Sequence, residues 1–144
     1  MAKESSHFKH VALIGAGLIG GSLARVIRRE QLADRVTAYS RRSETRERIR
    51  KLDFVDSVAE DIATTVADAD LVVVSVPVSA SGAIAKAIGP HLRPGTIVTD
   101  TGSVKQAVIA AMAPYLPEEV HFVPGHPIAG TENTGPEAGF DTLF

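Results

Sequence analysis

The sequence predicts a doubly wound α/β fold, a mainly parallel sheet with helices on both faces, and two observations predict it. Five short runs rich in β-branched residues, HVALI (10–14), VTAY (36–39), LVVVSV (71–76), TIVTD (96–100) and VHFV (120–123), are bounded by Gly, Pro or Asp, and the stretches between them carry helical spacing. The runs are apolar almost throughout rather than alternating, the pattern of strands covered on both faces. A chain of 144 residues, 44% of them hydrophobic, can bury one substantial core. One domain over residues 1–144 is therefore expected.

The first strand leads into GAGLIGG (15–21). Gly15, Gly17 and Gly20 form G-x-G-x-x-G directly after a strand and at the start of a helix whose Leu18, Leu23, Val26 and Ile27 can face the sheet. Each glycine has a mechanical reason: Gly15 for the tight turn, Gly17 for close approach of the backbone to a pyrophosphate, Gly20 for close packing of helix on strand. The helix start at Leu18 and Ile19 supplies unpaired N–H groups and a partial positive charge to phosphates. With a second strand following at Val36, the context is that of a Rossmann-type dinucleotide site rather than an ordinary turn.

The end of the second strand discriminates between the two nicotinamide cofactors. A carboxylate there would accept from the adenosine ribose and repel a 2′-phosphate. This chain instead carries Tyr39, Ser40, Arg41 and Arg42. Ser40 can donate to a phosphate oxygen and the two arginines can pair with its charge, so NADP is expected over NAD. Ten of the fifteen Lys and Arg residues lie between Arg25 and Lys51. Most of them read as a solvated helix face, because Glu44 and Glu47 fall at ion-pair spacing. The segment 54–70 reads as a short strand and one helix.

Val76 ends the next strand and Pro77 follows it, where the chain leaves the sheet beneath a bound cofactor or simply ends the strand. GPHLRPG (89–95) stops a helix and leads into the strand that ends in Asp100, Thr101, Gly102 and Ser103. Ligands bind at the carboxyl ends of parallel strands, so Thr101, Gly102 and Ser103 are candidates for cofactor or substrate contact, with helix capping by Thr101 or Ser103 as the plain alternative. Past the last strand, GHPIAGTE (125–132) holds His126 between a glycine and a proline that restrict its backbone. Histidine, ionising near ~6.5 as a residue type, suits a base that is neutral before proton transfer and cationic after it. His7, His10, His91 and His121 read as structural or solvent histidines, with no metal-ligand spacing.

Composition narrows the classes further. A formal net charge of −2 gives no global reason to bind nucleic acid or an anionic membrane. There is no run of eighteen apolar residues, the opening MAKESSHFKH lacks a signal-like apolar stretch, and there is no cysteine. The expectation is a cytoplasmic protein that acts on a small molecule.

The glycine motif, ADLVVVSVPV (69–78), TDTGSVK (99–105) and above all GHPIAGTE, in this order, resemble the N-terminal domain of the prephenate and arogenate (cyclohexadienyl) dehydrogenases of tyrosine biosynthesis, from about Lys9 to Phe144. The resemblance implies oxidative decarboxylation of prephenate or arogenate. It makes His126 the catalytic base, Ser103 the contact to substrate hydroxyl and nicotinamide, and Glu132 an acidic residue at the substrate mouth. It further implies a helical second domain that forms a homodimer and supplies much of the substrate pocket. The sequence stops at GFDTLF before any such domain, so turnover by these residues alone is expected to be absent or weak. Two alternatives stay open at this point: a dehydrogenase or reductase of β-hydroxy acids, and a non-catalytic dinucleotide-binding domain.

Overall fold

A computed structural model describes residues 7–144; the first six residues of the polar opening lie outside the described part. Six strands form one sheet in the order β3-β2-β1-β4-β5-β6, and every neighbouring pair is parallel. The strands are β1 (Phe8–Ile14), β2 (Ala33–Tyr39), β3 (Ser57–Val58), β4 (Leu71–Val74), β5 (Ile97–Asp100) and β6 (His121–Val123). Five helices connect them: α1 (Leu18–Arg29), α2 (Ser43–Leu52), α3 (Ile62–Val66), α4 (Ser81–Ile88) and α5 (Lys105–Met112). The chain leaves β1 towards β2 on one side, while β4 returns to the other side of β1 and continues to β5. That reversal opens a crevice at the carboxyl ends of β1 and β4.

The apolar runs are continuous because successive residues serve opposite faces. From β1, Ala12 and Ile14 join Val72, Val74 and Val98 in a core closed by Ala85, Ile88, Val108 and Met112 of α4 and α5. Val11 and Leu13 join Val36, Ala38 and Val73 in a second core closed by Ala24 of α1 and Ile49 of α2. Among the described residues, no helix is long and apolar enough to cross a membrane.

The structure adjusts three sequence expectations. The strand at 71–76 ends at Val74, although Ser75 still donates its N–H to the Ile14 carbonyl at 2.7 Å. The second strand starts three residues early, at Ala33, because Ala33 is in register with Phe8. On α1 the buried face is Gly20, Gly21, Ser22 and Ala24 rather than the large apolar residues. Leu23 and Ile27 pack at the margin of that core, whereas Leu18 turns to the crevice. The region 54–70 holds one short strand and one short helix; Asp61 caps α3 by accepting from Thr64 N at 2.9 Å.

Candidate functional site

The glycine loop is stitched into the sheet on both sides. Gly15 N donates to the Tyr39 carbonyl at 2.9 Å, and Gly15 has φ +89°, a conformation that suits glycine. A Cβ at Gly15 would overlap the Ser75 carbonyl, and one at Gly20 would overlap the Gly15 carbonyl, so both positions are set by protein packing. Gly17 differs. No protein atom lies within 4 Å of where its Cβ would stand, so the fold makes no demand for glycine there. A ligand lying against the backbone would make that demand. Gly17 is the N-cap of α1 and gives no side-chain cap, leaving first-turn N–H groups for an anion. The residues present therefore fit a pyrophosphate.

Two adjoining clefts meet at this loop. One, of about 510 Å³, is lined by Gly15 and Gly17, by Ser40, Arg41 and Arg42 after β2, and by Thr45 and Arg48 of α2. The other, of about 530 Å³, is lined by Leu18 and Ile19, by Thr101, Gly102 and Ser103 after β5, and by His126 and Pro127 after β6. Gly17, Ser75, Val76, Pro77 and Gly135 line both. Together they give one elongated groove with Ser40, Arg41 and Arg42 at one end and Ser103 and His126 at the other. Glu132 is exposed and lines neither cleft.

Sequence reading missed the residues that hold these loops. Arg46, largely buried, donates from Nη1 to the carbonyls of Ser40 (2.8 Å) and Arg41 (3.0 Å) and pairs with Glu60. Asp100, only 3% exposed, is the larger omission. Its carboxylate accepts from Gly102 N at 2.8 Å, from Gly125 N at 3.2 Å and from Lys105 Nζ, and the same ammonium donates to the Gly125 carbonyl. One buried carboxylate thus ties the loop of Ser103 to the loop of His126. The signal was available: a carboxylate ending an apolar strand needs a buried partner, and a lysine follows five residues later.

Two further details correct the sequence reading. Neither Thr101 nor Ser103 caps α5, whose N-cap is Val104 without a side-chain bond. Thr101 instead donates to Ser75 Oγ at 3.1 Å, leaving Ser103 exposed in the cleft. Gly125 does not serve to restrict the backbone: a Cβ there would stand 2.8 Å from the Asp100 carbonyl, so glycine permits close approach to β5. Of the other histidines, His10 is buried between Asp68 and Thr37, each at 2.9 Å, and His7 pairs with Asp34 at 2.9 Å. His91 and His121 are exposed.

The family model described as prephenate dehydrogenase, nucleotide-binding domain, matches residues 23–144. The chain belongs to the prephenate dehydrogenase family. Within it, the cyclohexadienyl dehydrogenase of Zymomonas mobilis is 47% identical over 137 residues, which cover 95% of this chain and 46% of that protein. The crystal structure of prephenate dehydrogenase from A. aeolicus, in complex with hydroxyphenyl propionate and NAD+, matches with a TM-score of 0.84 at 32% identity, covering 94% of this chain and 47% of that one. The Synechocystis arogenate dehydrogenase matches with a TM-score of 0.83 at 30% identity, over 94% and 46% of the two chains. The chain spans under half the length of the curated relatives it matches.

Proposed function

We propose that this chain is the cofactor-binding and proton-accepting part of an NADP-dependent dehydrogenase that oxidatively decarboxylates prephenate, arogenate or both in tyrosine biosynthesis. The observation that carries the reading is the convergence of Ser103 and His126 on the cleft that also exposes the start of α1. Gly15, Gly17 and Gly20 shape the pyrophosphate loop, while Leu18 and Ile19 present N–H groups from the first turn. Val76 and Pro77 form the floor shared by both halves of the groove; Thr101 and Gly102 flank its far end.

When bound, the nicotinamide accepts hydride from the carbon bearing the substrate hydroxyl, and loss of carbon dioxide leaves an aromatic ring. His126 takes the hydroxyl proton on an imidazole nitrogen. Ser103 orients that hydroxyl by a hydrogen bond, and the Asp100–Lys105 pair keeps the two loops in fixed relation. Glu132 takes its place at the substrate mouth from the family resemblance alone, since it is exposed and lines neither cleft. The whole enzyme, on this reading, is a cytoplasmic homodimer whose second domain completes the pocket.

Choice of cofactor rests on Ser40, Arg41 and Arg42, which line the cleft where a ribose-binding carboxylate is missing. The chain is expected to bind NADP+ more tightly than NAD+. Arg41→Ala is expected to erase most of that preference by removing a charge-assisted contact of about 1.5–3 kcal/mol. Calorimetric titration with both cofactors tests it, and equal affinities would overturn the assignment.

A further inference from the structure

Arg48 lines the same cleft as Ser40, Arg41 and Arg42, and the reading above gives it no task. It stands three residues after Thr45 on α2, on the same helix face, and both side chains line the cleft beside the end of β2. Its guanidinium is held by Glu137: Nε donates to Oε1 at 2.7 Å and Nη2 donates to Oε2. Glu137 lies on the short helical turn Pro136–Ala138, and Gly135 and Pro136 before it also line the cleft. Gly135 has φ +85°, and a Cβ there would stand 2.8 Å from Arg48 Nη2, so space for the guanidinium is built into the backbone.

Each side chain of the pair is 48% exposed, and ion pairs at such exposure contribute little to stability. Exchange of partners is therefore cheap. A phosphate engages the same planar fork of donors as a carboxylate, so the two compete for one guanidinium. A glutamate is ionised at neutral pH in any case, and the hydrogen bond from Arg48 above all pulls the Glu137 carboxyl down to about 2, the mark of a carboxylate engaged by that guanidinium.

We infer that Arg48 is a third cationic contact for the cofactor 2′-phosphate and that Glu137 competes with the phosphate for it, setting how strongly NADP is preferred. The inference rests on Ser40, Arg41 and Arg42 being the 2′-phosphate site. Its test uses the adenosine half of the cofactor: calorimetric titration of the 144-residue chain with adenosine 2′,5′-bisphosphate and with 5′-AMP. Glu137→Gln keeps the side-chain shape but removes the charge; it is expected to tighten the bisphosphate roughly three- to tenfold and leave 5′-AMP unchanged. Arg48→Gln is expected to weaken the bisphosphate roughly tenfold, and in that background Glu137→Gln should have no further effect. If Arg41→Ala erases the preference while neither Glu137→Gln nor Arg48→Gln alters it, the inference fails and the NADP reading survives. If the unaltered chain binds both nucleotides equally, both fail. A gain in Glu137→Gln shared by the two nucleotides also overturns the inference, since it would report general loosening of the cleft.

Discussion

At the scale of the residue, a proton acceptor must reach the substrate hydroxyl without being consumed by internal hydrogen bonds. His10 cannot do so: it is buried, with both ring nitrogens engaged by Asp68 and Thr37. His126 is exposed in the far cleft beside Ser103. In a chain of its relatives' full length, assayed with prephenate and arogenate, His126→Asn is expected to lower kcat by roughly 10²–10⁴-fold, the usual contribution of a positioned base. Cofactor affinity should hardly change. Ser103→Ala should cost less, because it removes an orienting hydrogen bond and not the acceptor. An asparagine variant with nearly full turnover would make His126 a loop histidine.

At the scale of the element, the ends of β5 and β6 are joined by Asp100. Its side chain is 2% exposed, against 27% for its partner Lys105. Asp100→Ala would strip an acceptor from Gly102 N, Gly125 N and the ammonium at once. The expected loss is about 1–3 kcal/mol, the lower part of the range for a charged group because Lys105 can still reach water. Urea denaturation reads it as a lower midpoint at unchanged slope. A midpoint within error of the unaltered chain would mean that water replaces the carboxylate.

The same elements show what local pattern could and could not reveal. β1 was legible because burial on both faces demands consecutive apolar residues, and the phosphate loop because its glycines stand at fixed offsets from a strand. Arg46 and Arg48 were not. They share a composition with any solvated helix face, and the partner of Arg48 lies 89 positions away in sequence. Asp100 carries a local signal, a carboxylate closing an apolar strand with Lys105 five residues on, but its tie to Gly125 joins segments 25 positions apart. The loops that aim Ser103 and His126 depend on contacts between distant segments, which periodicity does not report.

At the scale of the whole molecule, the sheet is covered on both faces by the chain's own helices, and two apolar cores fill the space between. Such an arrangement needs no second domain to bury it, so the 144-residue chain is expected to unfold in one cooperative transition. Saturation with NADP+ at about 100 times Kd should raise its stability by about 2.7 kcal/mol. Turnover is a different matter. Hydride transfer is favoured in a site that excludes water. Here Ser103 and His126 are exposed, and Ile128 beyond them is 94% exposed. Cofactor binding and catalysis should therefore separate: the chain alone should bind NADP+ yet oxidise prephenate and arogenate very weakly or not at all. Denaturation with and without NADP+, followed by a rate assay on the same sample, measures both halves of this expectation. A robust rate would show that residues 1–144 already shield the reacting atoms, and that the second cleft closes without help from any other domain.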